Sequence, residues 1–249
     1  MRIVYFGFDL FADCLKEIFE SDKTEVLAVR SFKTDNEFEF NSEVKALALS
    51  HGVPFSEEKI TEQEAMEYFK NGCELFVSAG YIYKIPVLDI PSFRGINVHP
   101  ALLPVGRGAW PYPCTILKGL TKSGVTVHKL AKEFDEGDIL LQHRFDLSND
   151  ETLDTLTEKS QKAAAEMIKQ VIEDFDTLWQ NAVPQKGGEY WQEPGDDERT
   201  ITSELTVEQA TLIKRAFGSY GVIYNGRVFK GNGEKTVTAV LKNGKIILN

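Results

Sequence analysis

Arg2-Ile3-Val4-Tyr5-Phe6-Gly7-Phe8-Asp9-Leu10-Phe11-Ala12-Asp13-Cys14-Leu15-Lys16-Glu17-Ile18-Phe19 is the stretch on which the fold turns. Ile3 to Phe6 form a compact apolar run closed by Gly7, and Leu10, Phe11, Cys14, Leu15, Ile18 and Phe19 then recur at helical steps. The run reads as a strand and the recurrence as one face of a helix, with Asp9 expected to cap it. The same alternation continues outward. Glu25 to Val29 is a second strand, and Ser42 opens a helix through Ala48 that His51-Gly52-Val53-Pro54 stops. Thr61 opens another helix, Glu74 to Ala79 is a strand with a turn at Gly80, and Gly95 to Val98 is a strand ending at His99-Pro100. Strands at Gly124 to Leu130 and Ile139 to Phe145 complete the series. Strands alternating with helices over the first 145 residues imply an α/β fold, a parallel-rich sheet covered by helices on both faces. Ligands in such sheets sit at the carboxyl ends of the strands.

From Asp150 to about Ala182, Leu153, Leu156, Met167, Ile168, Val171, Ile172, Phe175 and Leu178 mark one long amphipathic helix packed on the sheet. Gly187-Gly188, Pro194-Gly195 and Asp196-Asp197-Glu198 then make a polar connector. Beyond it lie a helix at Thr206 to Phe217 and strand-like pieces around 222–224, 228–230, 236–241 and 245–248. Asn225-Gly226 and Asn243-Gly244 are hairpin signals. The expected organisation is a catalytic domain over 1–183, a connector over 184–200, and a small C-terminal helix-plus-β appendage over 201–249.

Hydrophobic residues make up 42% and charged residues 27% of the 249, an ordinary globular balance. No apolar run approaches the roughly 20 residues that cross a bilayer. Met1 leads directly into strand-like sequence without a signal region, so a cytoplasmic protein is expected. Cys14, Cys73 and Cys114 are scattered, which fits reduced thiols and no disulfide framework. A net charge of −10 disfavours nucleic acid as the main partner. No His, Cys and carboxylate cluster has metal-ligand spacing, and no metal is expected. The first turn, Gly7 to Ala12, lacks the second and third glycines that let backbone approach a pyrophosphate, which argues against a dinucleotide-binding oxidoreductase. His128 is expected to be structural, and His51 and His143 to lie at the surface or an edge.

The densest chemistry lies between Asn97 and Asp138. Asn97 and His99 are two apart on a strand and face the same side. Taken alone, that pair reads first as a buried, hydrogen-bonded histidine with a neighbouring amide. Phe134-Asp135-Glu136-Gly137-Asp138-Ile139 adds an acidic turn between two strands, which alone reads as a solvated hairpin. Together they supply an amide, an imidazole and a carboxylate on one sheet. Acyl transfer to an amine needs those types: imidazole to take a proton near neutral pH, a fixed donor for the developing oxyanion, and a carboxylate beside the imidazole. A non-catalytic binding module would need neither a titrating His99 nor its carboxylate.

Asn97-Val98-His99-Pro100-Ala101-Leu102-Leu103-Pro104, followed at the right separation by Phe134 to Ile139, resembles the folate-dependent formyltransferase family. That family includes methionyl-tRNA, glycinamide ribonucleotide and amino-sugar formyltransferases, and the resemblance covers roughly Met1 to Phe145. It implies a Rossmann-like formyltransferase fold, with Asn97, His99 and Asp135 as the catalytic trio and 10-formyltetrahydrofolate as the donor. His99 is then the general base, Asn97 supports the oxyanion, and Asp135 orients His99. Ala79 to Ile85 resembles the family's pterin-side loop, which implies that Tyr83, Lys84 and Ile85 line the folate. Leu130 to Asp138 resembles the second pterin loop, with Leu130 and Asp138 as contacts, although Asp138 also reads as a cap of the following strand. Arg107, Trp110 and Tyr112 stand where the acceptor is expected, and the two aromatics serve packing equally well. The tail from Tyr190-Trp191 to Phe217 resembles the short tails of amino-sugar formyltransferases, which implies a nucleotide-linked amino sugar as acceptor and a homodimer. Methionyl-tRNA, another small amine, and hydrolysis of the folate by water remain the alternatives.

Overall fold

Ile3, Val4, Tyr5 and Phe6 are all fully buried in the strand Arg2–Gly7 (β1). A strand apolar at every position must be covered on both faces, and therefore belongs inside a sheet. The computed structural model, which describes residues 1–34, 40–231 and 236–249, puts it there. The strands Glu25–Arg30 (β2), Phe55–Ser56 (β3), Leu75–Ala79 (β4) and Gly95–His99 (β5) follow in the chain. Between them come the helices Ala12–Glu20 (α1), Ser42–Ser50 (α2) and Glu62–Lys70 (α3). Next are Val105–Arg107 (β6), Pro111–Leu117 (α4), Lys122–Lys129 (β7) and Ile139–Asp146 (β8). The main sheet has the order β3-β2-β1-β4-β5-β7-β8. Pairing is parallel from β3 through to β5, and β7 runs antiparallel to β5. The chain winds outward from β1 to β3, then restarts at β4 on the other side of β1. Such a reversal opens a crevice at the carboxyl ends of the strands.

Two compact units divide the chain: residues 1–107, 124–143 and 160–189 form one, and 108–123, 144–159 and 190–249 the other. These borders do not follow the linear order 1–183, 184–200 and 201–249, because β8 and the helix Leu153–Glu173 (α5) each run across a border. Composition marks the polar connector but leaves no trace inside a continuous element.

In the first unit Phe6, Phe69, Phe76, Tyr81 and Ile85 belong to one buried cluster, with Phe6 and Phe69 meeting Phe76 at ring separations of 5.0 and 4.9 Å. Each such ring, fully buried, contributes about 1.5–3 kcal/mol. Asp9 does not cap α1. It opens a short turn, and its carboxylate accepts the backbone N–H groups of Glu43 and Val44, each at 3.0 Å, and the hydroxyl of Ser42 at 3.1 Å. The N-cap of α2, Asn41, turns its amide to Phe32 O and Glu57, so the orphan N–H groups of that helix take Asp9 instead. Thr61 and Glu64 form a reciprocal capping box on α3, as the helix start at Thr61 anticipates. The long helix is two: α5 ends at Glu173 and Phe175–Gln180 (α6) follows Asp174, whose φ of −132° is not helical. The apolar spacing continues through Val171, Ile172 and Phe175, so periodicity alone cannot register the break. Glu189–Tyr190 (β9) pairs with β6.

In the second unit Thr200–Ile201 (β10) pairs parallel with Val222–Tyr224 (β11), which turns at Asn225-Gly226 into Arg227–Phe229 (β12). Both turn residues have positive φ, 48° and 73°, the geometry for which Asn-Gly is selected. Val207–Phe217 (α7) starts at a Thr206–Gln209 capping box, and Val237–Leu241 (β13) pairs with Gly244–Leu248 (β14) as a hairpin. Among the described residues no helix is long and apolar enough to cross a membrane.

Candidate active site

β5 and β7 pair so that Asn97 lies opposite His128 and His99 opposite Thr126. Alternation along each strand then puts Asn97, His99, Thr126 and His128 on one face, while Val98, Val125 and Val127 turn to the other. Beyond His99 the chain is pinned back: Thr126 Oγ1 donates to Ala101 O at 2.6 Å and accepts from Leu103 N at 3.2 Å. Gln142 Nε2 donates to Leu103 O at 2.7 Å and to Thr126 Oγ1 at 2.9 Å. These bonds carry the signature stretch past His99 and bring Gly106 over the ring.

His99 Nε2 lies 2.7 Å from Gly106 O, and a carbonyl only accepts, so Nε2 carries a proton. Nδ1 faces Asp135 Oδ1 at 3.4 Å. The same carboxylate oxygen is 3.4 Å from His128 Nε2 and 3.4 Å from Asn97 Nδ2. His128 Nδ1 donates to Lys129 O at 2.8 Å, which leaves its Nε2 as acceptor for Asn97 Nδ2 at 3.2 Å. Two imidazoles and an amide thus converge on one carboxylate oxygen. His99, His128 and Asp135 are all buried. Burial pushes the His99 imidazole below its ordinary range, the Asp135 carboxylate and the Gly106 carbonyl oppose that, and His128 adds to it. A neutral ring with Nε2 protonated presents Nδ1 as its basic atom, on the side of the carboxylate.

The acidic turn has an exacting shape. Asp135 adopts φ 57°, a left-handed conformation that Asp tolerates better than most residues. At Gly137 a Cβ would stand 1.8 Å from Lys129 O, so the turn closes on the end of β7 only with glycine there. Lys129 N donates to Asp138 O at 2.9 Å and Lys129 Nζ meets Asp138 Oδ2 at 3.3 Å.

The structure places Ser78 opposite Asn97 and Ala79 opposite Val98, so the segment leaving β4 emerges beside His99. In that segment Ile85 is buried in the core cluster, and Tyr83 and Leu130 pack against it partly buried. Tyr83 stands edge-on to Tyr81 at 5.5 Å. Lys84 is exposed, 3.6 Å from Glu133 and over the Phe134 ring. Arg107 is held by the chain itself: its Nε and Nη2 donate to Gln185 Oε1 at 3.2 and 2.9 Å, and Nη1 is 3.4 Å from Glu136. Trp110 and Tyr112 belong to the second unit, where Trp110 packs edge-on against Tyr220 at 4.6 Å and Phe217 at 6.0 Å, and Tyr112 is buried in α4. Sequence reasoning left three contributors out of the site: His128, the Gly106 carbonyl and Gln185. The two-residue step from Thr126 to His128, read against Asn97 and His99, is the signal that finds His128. Among the described residues no group of three or more His, Cys, Asp or Glu side chains is placed to hold a metal ion.

Fold and cluster together define an α/β protein with two imidazoles, an amide and a carboxylate gathered at the end of a central strand. The model of the formyl transferase family matches residues 1–172, and the chain belongs to that family. A methionyl-tRNA formyltransferase from Ehrlichia ruminantium (strain Gardel) is 31% identical over 191 residues, which are 74% of this chain and 62% of the relative. The chain therefore spans less than two thirds of that protein's length. Two solved structures share the fold over nearly both full lengths. One is a 4-N formyltransferase from Francisella tularensis (TM-score 0.72, 20% identity, 98% of each chain). The other is an N-formyltransferase from Helicobacter canadensis in complex with folinic acid and dTDP-3-aminofucose (TM-score 0.70, 19% identity, 99% of this chain and 97% of that one).

Proposed function

We propose that the protein transfers a formyl group from 10-formyltetrahydrofolate to the amine of a nucleotide-linked amino-deoxy sugar. The observation that carries the reaction class is the convergence of His99 Nδ1, His128 Nε2 and Asn97 Nδ2 on Asp135 Oδ1 in a chain of the formyl transferase family. The amine attacks the formyl carbon and the new C–N bond forms as charge moves to the formyl oxygen; the proton leaving the amine goes to His99 Nδ1 and is passed to the carrier nitrogen as the bond to it breaks. The Gly106 carbonyl fixes the ring and its tautomer, and the Asp135 carboxylate stabilises the imidazolium that forms. A turn of the Asn97 amide about χ2 aims one of its N–H groups at the formyl oxygen as negative charge develops there. Tyr83 and Leu130, partly buried against the apolar cluster that holds Ile85, offer an apolar surface suited to a flat bicyclic pterin. The folate supplies an activated one-carbon unit when bound.

Support for the sugar acceptor is the near-complete coverage of the Helicobacter protein bound to dTDP-3-aminofucose, set against 62% of the tRNA enzyme. The net charge of −10 points the same way, since a polyanionic acceptor gains nothing from it. The 31% identity to methionyl-tRNA formyltransferase favours tRNA as the second reading. A discontinuous assay with 10-formyltetrahydrofolate, a panel of nucleotide-linked amino sugars, and charged methionyl-tRNA in a parallel arm separates them. Formylated sugar from the wild type and none from His99→Ala is the expected result. Formylated tRNA instead would establish the second reading, formate alone would mean hydrolysis, and no turnover with any acceptor would overturn the proposal.

A further inference from the structure

We propose that Gln185 is a positioning residue for the His99–Asp135 pair, clamping the acidic turn and the segment that orients the imidazole into one frame. The proposal rests on the formyl-transfer reading above. One side-chain amide does two jobs with opposite polarity. Its Nε2 donates to Asp135 O and Gly137 O, both at 2.8 Å. Its Oε1 accepts two N–H groups of Arg107, the residue after Gly106. Gly106 O in turn holds His99 Nε2, and Asp135 Oδ1 faces His99 Nδ1. On each side of the imidazole, the residue that meets the ring or its immediate chain neighbour is therefore held by the same amide.

The residues around Gln185 are built to hold it there. Gly188 has φ 114°, and a Cβ on it would stand 2.3 Å from Pro104 O, so the chain passes the 104–107 segment too closely for any side chain. Glu189 N donates to Pro104 O at 3.1 Å, continuing the contact into β9. What reads in sequence as a polar connector is, over residues 185–189, a strap fastened along β6. A turn with a left-handed residue persists only when its surroundings over-determine it, and two of its carbonyls are spoken for by Gln185. The other groups facing His99 are Asp135, His128 and the Gly106 carbonyl. Glu136 in the same turn also reaches Arg107, its Oε1 3.4 Å from Nη1, but that half-exposed ion pair leaves the backbone carbonyls of Asp135 and Gly137 to Gln185. A glutamate of the same shape would still accept from Arg107 but would set a carboxylate against two carbonyl oxygens.

The test compares the full chain with Q185E and Q185M, each checked for folding by circular dichroism. Imidazole 15N NMR without substrate should show His99 as a single Nε2–H tautomer in the wild type and as an exchanging mixture in both variants. Formyl transfer should lose roughly 10–100-fold in kcat while KM for the formyl donor changes by less than about threefold, as a misplaced but intact catalytic pair requires. Folded variants with wild-type tautomer order and wild-type kcat would overturn the proposal. Loss of fold in both would make Gln185 a stability residue and overturn it as well. If the wild type transfers no formyl group to any acceptor yet the His99 tautomer responds as expected, the positioning role stands and the functional reading falls.

Discussion

Asp135→Asn isolates the charge at the centre of the cluster. Asn keeps the shape and, like Asp, accepts the left-handed φ of 57° at this turn. At the 3.4 Å separation of Oδ1 from His99 Nδ1, a full charge pair at an effective dielectric constant of about 20 interacts with about 5 kcal/mol. That is the ceiling, reached only if the imidazolium is complete in the transition state and the amide dipole returns nothing. Taking half to most of it, kcat should fall about 100- to 1,000-fold. The pH profile gives the second readout. Asp135 raises the His99 pKa against burial, so removing its charge lets that pKa drop further. The acidic limb of kcat should therefore move to lower pH while the plateau falls. Steady-state formyl transfer measured across pH tests both at once, with a thermal melt to confirm folding. A kcat within threefold of wild type, or an acidic limb displaced upward, would refute the assignment of Asp135 as the charge partner of His99.

His99 also links stability to pH. Its folded-state pKa lies below the unfolded one, so the unfolded chain takes the proton first as pH falls. Its contribution is intact above the ordinary histidine value and erodes below it at up to about 1.4 kcal/mol per pH unit. Urea melts from pH 7.5 down should show that slope, and His99→Gln should flatten it. Gly137→Ala pushes a Cβ to within 1.8 Å of Lys129 O, and the forced backbone shift should cost about 1–3 kcal/mol with a matching loss of kcat. An unchanged melt would contradict the close approach at this position. In the second unit, Glu151 accepts from Ser148 N at 2.9 Å, Thr155 Oγ1 at 2.6 Å and Lys159 Nζ at 2.5 Å. Burial raises its pKa, but those three partners more than offset it and hold the carboxyl low. Glu151→Gln should cost about 1–2 kcal/mol at neutral pH, discounted because Lys159 is partly exposed. The deficit should disappear as pH falls below the ordinary Glu value, which denaturant melts at pH 7 and pH 3.5 would check.

Much of the sheet was legible because central parallel strands must be apolar throughout. Ile3 to Phe6 announces itself in that way and Glu74 to Ala79 nearly so, Gly95 to Val98 is broken only by Asn97, and the observed strands differ from these by a residue or two. Short elements carry no such statistics. β3 has two residues and β6 three, so their existence depends on partners far away in the chain. The cap supplied by Asp9 is invisible for the same reason: its acceptor oxygen serves a helix more than thirty residues later. At the site, Asn97, His99 and Asp135 stood out by chemistry and spacing, and the structure does bring them together. His128 did not, because a lone histidine among valines looks like packing until the register of β7 on β5 is known. Gln185 sits in a stretch rich in glycine and charge, where composition predicts only flexibility.

The register of β7 against β5 has a consequence for how the gene can vary in length. The alternation that sends Val125 and Val127 to one face sends Thr126 and His128 to the face of Asn97 and His99. Inserting or deleting one codon anywhere in 124–128 would exchange the two sets, presenting valine where histidine now meets Asp135. The sheet could still assemble from apolar residues, because this strand is buried along almost its whole length. Single-codon changes here would thus yield a folded protein with no chemistry, whereas additions at the Asn225-Gly226 and Asn243-Gly244 turns would leave that parity unchanged. Length variation among viable descendants of this chain is accordingly confined to stretches that do not set the parity of β5 and β7.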